Sequence, residues 1–301
     1  MSIAGFRSKG SIMTAMTTDE FTGQVLAAYA GTPQPRLREL LEALVSHLHA
    51  FAVQTRLTPQ EWLAGVWFLT ATGHKCDADR QEFILLSDVL GLSSLVELIN
   101  AAPGATESTV LGPFYVPGAP VRAVGEQIGR PQDGSPTLVR GKVTDVAGRP
   151  VAGATVDVWQ SSGNGLYDTQ DPQQPRFNLR GVFVTEADGG YQFRTARPVS
   201  YPVPTDGPVG ELLRGAARHQ WRAAHLHAIV AAAGYRSLTT HVFDADNPYL
   251  ASDAVFGVKD SLVKQFRPAG PDDPPDVSYV VEMDFALAPA HSTGHSTGPA
   301  R

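Results

Sequence analysis

Two histidines separated by a single residue, His225 and His227, are the sharpest chemical feature of the sequence. Side chains two apart in a β-strand point to one face and lie about 7 Å from each other, close enough to share a metal ion. Mostly apolar residues surround the pair from Ala223 to Val230. Two imidazoles in such a strand are costly unless ligation or hydrogen bonds satisfy them. The spacing therefore indicates a two-histidine metal site, with two ordinary histidines as the alternative.

The composition limits the ligands that could complete this site. Cys76 is the only cysteine, which excludes thiolate zinc sites, iron–sulfur clusters and an internal disulfide. A facial triad of two histidines and a carboxylate needs a nearby acid, and the first acid after His227 is Asp244. A tyrosine phenolate is another option, because it is a hard anionic donor that suits ferric iron. Tyr167 and Tyr201 lie in predicted loops, where site residues concentrate, but the residues alone indicate no more than a two-histidine site.

The first part of the chain has the hydrophobic period of helices. The leucines from Leu37 to Leu48 form one stripe of a helix that runs to about Val53. Thr58, with Glu61 three residues later, is typical of a helix start with a capping box. Helices are predicted over residues 37–53, 59–73, 79–89 and 92–100. Residues 17–105 are therefore predicted to form an all-helical domain.

After Gly112 the chain changes to short segments that alternate apolar and polar residues and are separated by Gly, Pro and Asp. The Asp188-Gly189 pair between two such segments is typical of a tight turn. Strands are predicted over residues 137–144, 154–160, 181–186, 190–195, 222–231, 237–244 and 278–287. Regular turns without long intervening helices favour an antiparallel sandwich or barrel, and we expect a β-sandwich over residues 106–287. The predicted fold class is therefore α+β.

Composition also restricts the class of protein. The 301 residues carry a net charge of −6, with 43% hydrophobic and 18% charged residues, which is ordinary for a globular chain with a core. The mild acidity argues against a nucleic-acid partner or an anionic membrane surface, because either would need a basic face. No stretch resembles a signal peptide or a membrane span, so a cytoplasmic location without membrane insertion is expected. Residues 1–16 and 288–301 are expected to be disordered.

Five short motifs occur in order along the second half of the chain: Leu111–Tyr115, Asp157–Gln160, Gly165–Asp168, Tyr201 in a proline-rich loop, and Arg222–His227. This series resembles the intradiol ring-cleavage dioxygenases, a family of non-haem ferric enzymes. The similarity covers nearly the whole chain, because some members also carry a helical N-terminal domain. Position by position, it implies that Fe(III), one ion per subunit, is held by Tyr167, Tyr201, His225 and His227. It implies no haem, flavin or nicotinamide cofactor.

Within that family the sequence is most similar to the hydroxyquinol 1,2-dioxygenases, through the stretches Arg80–Asp88, Thr239–Asp244 and Ser252–Lys259. The implied substrates are dioxygen and benzene-1,2,4-triol, cleaved between the 1- and 2-hydroxyl carbons to 3-hydroxy-cis,cis-muconate, equivalent to maleylacetate. Catechol and chlorocatechols are the alternative substrates. His241 stands where catechol enzymes typically place glutamine, which implies a group beside the iron and not a fifth ligand.

The resemblance assigns catalytic roles to Tyr201 and Arg222. Tyr201 is expected to leave the metal and accept one substrate proton. The guanidinium of Arg222 is expected to stabilise negative charge that develops on the ring. Strict alternation places Arg222 on the opposite face from the two histidines, so the chain at Ala223 and Ala224 must bulge or be a loop if it reaches the site. The alternative is an ordinary surface arginine at the entrance of a strand.

The resemblance also implies a set of residues around the aromatic ring: Leu85, Asp88, Val110, Gly112, Pro113, Phe114, Val203, Pro204, Arg222 and Val255. Asp88 is three residues after Leu85 on a predicted helix, so the two side chains can project towards one spot. Asp88 is expected to accept a hydrogen bond from a third ring hydroxyl. The alternative is an acid on the helix surface.

The helical domain is expected to form one wall of the pocket and to build a homodimer, because its apolar stripes are wide enough to leave an exposed face. The resemblance implies a phospholipid as a candidate ligand between the dimer helices. Two other classes of protein are considered. One is a zinc or iron enzyme of the cupin type, which would need a nearby glutamate and a later histidine. The other is a non-catalytic β-sandwich binding module, which would leave the helical domain unexplained.

Overall fold

The computed structural model describes residues 16–77 and 80–290. By compactness the chain divides into two units between residues 69 and 70. The predicted boundary near residue 105, where helices give way to strands, stays a prediction. Residues 288–290 correct the predicted disordered tail: Arg236 N donates to Ala288 O at 2.8 Å, and Ala290 N donates to Gly234 O at 2.9 Å. The rest of that tail and residues 1–15 lie outside the described residues.

Three helices open the described chain: α1 (Thr18–Tyr29), α2 (Pro35–Thr55) and α3 (Pro59–His74). The capping box predicted at the start of α3 is present, since Glu61 N donates to Thr58 Oγ1 at 3.2 Å and Thr58 N donates to Glu61 Oε2 at 2.9 Å. Helix α1 has the same device at Thr17 and Glu20 but is not among the predicted helices. It packs on α2, where the ring of Phe21 stacks on that of His49, with the ring centroids 5.8 Å apart.

Three further helices belong to the second unit: α4 (Glu82–Val89), α5 (Leu92–Ile99) and α6 (Pro208–Gly215). Helix α4 begins three residues after its predicted start, and α5 ends one residue before its predicted end. Helix α6 is not among the predicted helices, because the prolines that follow Tyr201 are typical of a loop. Among the described residues, no helix has the length and apolarity needed to cross a membrane.

Twelve strands occur among the described residues: β1 (Pro136–Asp145), β2 (Thr155–Trp159), β3 (Arg180–Val184), β4 (Gly190–Ala196), β5 (Tyr201–Pro202), β6 (Trp221–Arg222), β7 (His225–Ala231), β8 (Leu238–Asp244), β9 (Val263–Lys264), β10 (Arg267–Pro268), β11 (Tyr279–Glu282) and β12 (Phe285–Leu287). One sheet has the order β10-β11-β1-β12, with β4 also paired to β1, and the other has the order β3-β2-β7-β8-β9. Strands β5 and β6 form a separate pair. The α+β class is confirmed.

The sheets are mixed, which corrects the prediction of a purely antiparallel sandwich. Strand β1 pairs in parallel with both β11 and β12, and β8 pairs in parallel with β9. The single strand predicted over residues 278–287 is broken at Met283 and Asp284. Met283 N donates to Arg140 O at 3.0 Å, and a Cβ at Gly141 would overlap the Met283 carbonyl. Glycine is thus required where these two backbones cross.

The core lies between the two large sheets and is built from the inward side chains of their strands. Phe183 of β3 stacks on Phe193 of β4 at 4.9 Å, and both rings are fully buried. On β7, Leu226 and Ala228 join this core, so the alternating side chains point to the other face of the sheet. That other face carries His225 and His227.

Candidate metal centre

The two histidines lie together on β7, as the His-x-His spacing predicts. Their Nε2 atoms are 3.1 Å apart, and both side chains are buried. Nδ1 of His225 lies 2.6 Å from the carbonyl oxygen of Ala223, which requires the ring to donate from Nδ1. Nε2 of His225 then carries a lone pair, the protonation state that a metal ligand needs.

Two tyrosine hydroxyls complete the cluster. Tyr167 Oη lies 3.0 Å from Nε2 of His227, and Tyr201 Oη lies 3.4 Å from Nε2 of His225. Tyr167 comes from the loop between β2 and β3, whereas Tyr201 begins the short strand β5. Gly165 precedes Tyr167 in this loop with a φ of +79°, a left-handed backbone conformation that favours glycine, and a Cβ there would be in ordinary contact with Cβ of Tyr201 at 3.5 Å. Two oxygen and two nitrogen atoms from separate elements therefore converge on one spot.

Aromatic packing holds these donors in place. Phe114 stacks on Tyr167 at 4.6 Å, and Trp159 of β2 stacks on His227 at 4.5 Å. Behind Tyr167, Asp168 and Arg180 form a buried ion pair at 2.7 Å. Because the rings are wedged on several sides, the donor atoms are held before any ligand arrives.

Burial sets the protonation of the cluster. It lowers the pKa of His225 well below the ordinary value, and the nearby Arg222 cation acts in the same direction. The pKa of His227 is lowered in the same way, mainly by burial. Both imidazoles are therefore neutral and able to ligate. Burial raises the pKa of the Tyr167 phenol well above the ordinary value, so a coordinated cation would be needed to hold it as phenolate.

Arg222 reaches this cluster because the chain leaves the sheet just before the histidines. It lies on β6, which pairs with β5 so that Arg222 faces Tyr201, and Ala223 and Ala224 separate β6 from β7. Arg222 can therefore escape the strict alternation of β7, because the chain at Ala223 and Ala224 lies outside the strands, as the prediction required. Nη1 of Arg222 donates to Tyr201 Oη at 3.2 Å and to Nε2 of His225 at 3.1 Å. The guanidinium side chain is buried, so the surface-arginine alternative is wrong.

His241 lies on β8 directly opposite His227. Its ring stacks on that of His225 at 4.4 Å and meets that of His227 edge-on at 4.2 Å. Among the described residues, one group of three potential ligands is close enough to hold a metal, namely His225, His227 and His241, with ligand atoms within 4.8 Å of one another. The predicted place of His241 beside the metal fits this geometry, and its role stays a prediction.

The predicted pocket residues differ in what the structure shows of them. Phe114 contacts the cluster through its ring, and a Cβ at Gly112, whose φ is +75°, would lie 3.3 Å from Cε1 of His227. Asp88 is fully buried, which makes the helix-surface alternative wrong. The remaining apolar residues are buried or half-buried, and their contact with a ring stays a prediction: Leu85, Val110, Pro113, Val203, Pro204 and Val255.

Three site residues escaped the sequence reasoning. Trp159 and Asp168 stand in the motifs Asp157–Gln160 and Gly165–Asp168, but nothing in the spacing indicates that Trp159 stacks on His227 or that Asp168 pairs with Arg180. Asp253 forms an ion pair with Arg222, and both side chains are only 2% exposed. Asp253 stands in the stretch Ser252–Lys259 that carries the resemblance, but nothing in that stretch indicates that it pairs with Arg222.

Comparisons with known proteins agree with this site. The family model described as dioxygenase matches residues 110–289, and that described as the catechol dioxygenase N terminus matches residues 34–107. A 6-chlorohydroxyquinol 1,2-dioxygenase of Cupriavidus pinatubonensis is 48% identical over 270 residues, 89% of this chain and 96% of that protein. A hydroxyquinol 1,2-dioxygenase of Rhizobium sp. is 50% identical over 246 residues, 81% of this chain and 83% of that protein. The solved hydroxyquinol 1,2-dioxygenase of Pseudomonas putida has a TM-score of 0.83 and 49% identity, and the match covers 91% of this chain and 99% of that one.

The helices, the mixed β-sandwich and the buried tyrosine–histidine cluster define a ring-cleaving dioxygenase. The chain belongs to the intradiol ring-cleavage dioxygenase family. This family uses non-haem iron, and its N-terminal domain mediates dimerisation. The cupin-type enzyme and the non-catalytic binding module are therefore excluded as alternatives.

Proposed function

We propose that this chain cleaves hydroxyquinol with dioxygen between its 1- and 2-hydroxyl carbons, giving 3-hydroxy-cis,cis-muconate, equivalent to maleylacetate. The observation that carries the proposal is the convergence of two phenol oxygens and two imidazole nitrogens in one buried site. The substrate is taken from relatives named for hydroxyquinol and 6-chlorohydroxyquinol. Catechol and chlorocatechols, which differ only in their ring substituents, are the alternatives.

The donor set fits ferric iron, one ion per subunit. Tyr167, Tyr201, His225 and His227 would hold it, since two hard phenolates and two neutral imidazoles suit a hard trivalent cation. When bound, ferric iron would draw electron density from a chelated diolate and make the ring reactive towards dioxygen. No cysteine lies in this cluster, and its donors are those of a mononuclear oxygen–nitrogen site.

Tyr201 would accept a substrate proton, and Arg222 would stabilise negative charge. A diol that chelates through both oxygens must lose two protons as it binds, and Tyr201 Oη is the atom that we assign to accept one of them. Nη1 of Arg222, 3.2 Å away, would keep that oxygen oriented while it holds the proton. The guanidinium would also stabilise negative charge that appears on the ring only as the reaction proceeds, which lowers the barrier without tightening substrate binding.

Asp88 would set the preference for a third ring hydroxyl. One of its carboxylate oxygens has no hydrogen-bond partner among the described residues, although the side chain is buried. A buried acceptor without a partner is costly, and a substrate hydroxyl would satisfy it. Leu85 and Phe114, both buried, would supply apolar contacts to the ring.

The first three helices would build a homodimer in the cytoplasm. Many of their large apolar side chains are exposed in the single chain: Leu37, Leu40, Leu44, Leu48, Phe51, Trp62 and Trp67. An exposed apolar face of this extent is typical of an interface. A phospholipid bound between the helices of two subunits is part of this proposal, on the family resemblance alone.

Dioxygen uptake by the iron-loaded protein tests the function. Hydroxyquinol, catechol and chlorocatechols are compared under identical conditions, and the ring-opened product is followed by its ultraviolet absorption. We expect the highest kcat/KM with hydroxyquinol, with one dioxygen consumed per ring opened. The same sample should be coloured by tyrosinate-to-iron charge transfer. A colourless iron-loaded protein without uptake on any diol would refute the proposal, and a preference for catechol would favour the alternative substrate.

A further inference from the structure

Arg222 is held along one edge by a buried carboxylate. Its Nε donates to Oδ1 of Asp253 at 3.2 Å, and its Nη2 donates to Oδ2 at 3.4 Å. The remaining Nη1 is the nitrogen that faces Tyr201 Oη and Nε2 of His225. Because a guanidinium is planar and its donors form a rigid fork, fixing one edge fixes the direction of the third nitrogen.

The carboxylate is itself anchored independently of Arg222. Oδ2 of Asp253 accepts a hydrogen bond from the backbone N of Gly257 at 2.8 Å. The carbonyl of Gly257 accepts one from Oγ1 of Thr109 at 2.7 Å, and Ala254 N donates to Trp221 O at 3.1 Å. Asp253 is therefore tied to two other segments and stays in place if the guanidinium moves.

Gly257 makes room for this arrangement. A Cβ at this position would lie 2.9 Å from Nη2 of Arg222 and 3.2 Å from Oδ2 of Asp253. The first distance is too short for a side-chain carbon, so a larger residue would displace the guanidinium from its carboxylate. Glycine leaves room for the guanidinium here through its missing side chain and not through its backbone angles.

We infer that Asp253 is a positioning residue for the ring-cleavage reaction: it directs Nη1 of Arg222 to the substrate-facing side of Tyr201, and Gly257 permits the contact. This inference rests on the role proposed for Arg222. Asp253 acts through Arg222 and does not touch the donor atoms of the metal centre. Its loss should therefore lower kcat for every diol and leave KM nearly unchanged, unlike the loss of Asp88.

The test is a double-mutant cycle of Asp253→Asn and Arg222→Met on the iron-loaded protein. Asp253→Asn keeps the size of the side chain and removes its charge, and we expect kcat to fall by roughly a hundredfold, as for a misplacement of about 1 Å. Iron content and the visible charge-transfer band should not change. In the Arg222→Met background, Asp253→Asn should have almost no further effect. Asp276→Asn removes the partner of Arg194 at the surface, 3.1 Å away, and should leave kcat unchanged.

The outcomes separate the two proposals. If Arg222→Met keeps full kcat, the role proposed for Arg222 fails. If Arg222→Met is impaired while Asp253→Asn is not, or if the two losses multiply, the positioning role alone is refuted. Should Asp253→Asn fail to take up iron, Gly257→Ala replaces it, because it keeps both charges and pushes on Nη2. Gly257→Ala should lower kcat in the native background and not in Arg222→Met, and full activity of this variant would overturn the inference.

Discussion

Replacing Asp88 is the sharpest test of substrate choice. The carboxylate is buried on α4, and one of its oxygens lacks a hydrogen-bond partner among the described residues. Burial raises the pKa of Asp88 above its ordinary value, although a hydrogen bond from Ser93 and the Arg222 cation oppose the shift. In Asp88→Ala the third hydroxyl of hydroxyquinol would lose its acceptor, whereas catechol has no such hydroxyl to lose.

The expected magnitude follows from the hydrogen bond. A bond to a charged group contributes about 1.5–3 kcal/mol, and 1.4 kcal/mol corresponds to a factor of about ten. The ratio of kcat/KM for hydroxyquinol over catechol should therefore fall by roughly ten- to a hundredfold in Asp88→Ala. Asp88→Asn keeps an acceptor oxygen of similar size and should lose less. Catechol turnover should change little, because the two hydroxyls of catechol are not the groups that Asp88 is proposed to bind.

The assay is dioxygen uptake with both substrates, on variants whose iron content is matched. Glu97→Gln changes a partly exposed acid on the neighbouring helix α5 and serves as the control, with an unchanged ratio. Equal losses of kcat/KM on hydroxyquinol and catechol in Asp88→Ala would show that Asp88 only stabilises the structure around helix α4. Its proposed role in recognising the third hydroxyl would then be wrong.

Three further predictions concern the metal, the acid dependence and the assembly. Tyr167→Phe keeps the stacking ring and removes one oxygen donor, so iron content and visible absorption should both fall by more than tenfold. Tyr235→Phe, between β7 and β8, changes a tyrosine outside the cluster and should keep both. Arg80 lowers the pKa of Asp206 from 3.8 to about 2, so the stabilisation is complete above pH 3.8 and is lost as pH falls through about 2. In Asp206→Asn, Tm should no longer show the fall that comes from protonating Asp206. If Tm depends on acid pH in the same way in both proteins, this assignment is wrong. Trp67→Glu places a charge on an exposed apolar helix face and should convert dimers to monomers, as measured by sedimentation velocity. An unchanged dimer dissociation constant would place the interface elsewhere.

The histidine pair could be predicted from local pattern, and the tyrosines could not. Alternation within one strand fixes that His225 and His227 share a face, since it depends only on the two-residue period of β7. Tyr167 and Tyr201 reach the same spot from a loop and from a two-residue strand, so no local period relates them to the histidines. Only the order of several motifs, through family resemblance, indicated that the four residues belong together.

Arg222 shows where the local pattern gives the wrong face and the reason for it. Extending the β7 alternation backwards would place it on the core side of the sheet. The chain instead leaves the sheet at Ala223 and Ala224, and the preceding residues pair with β5. Strand pairing depends on distant segments, which also explains why the parallel pairing of β1 with β11 and β12 was not predicted.

The charges around Arg222 explain why the two buried carboxylates, Asp253 and Asp88, can have different proposed roles. Asp253 makes two hydrogen bonds to the guanidinium and one to a backbone N–H, so its charge is compensated. Asp88 lies within the field of both Arg222 and Asp253, and these act on its pKa in opposite directions. With the cation already paired to Asp253, little attraction remains to offset the burial of Asp88. Among the described residues, Asp88 is thus the carboxyl of this pair with an oxygen that has no hydrogen-bond partner, and under the proposed role a substrate hydroxyl would satisfy that oxygen.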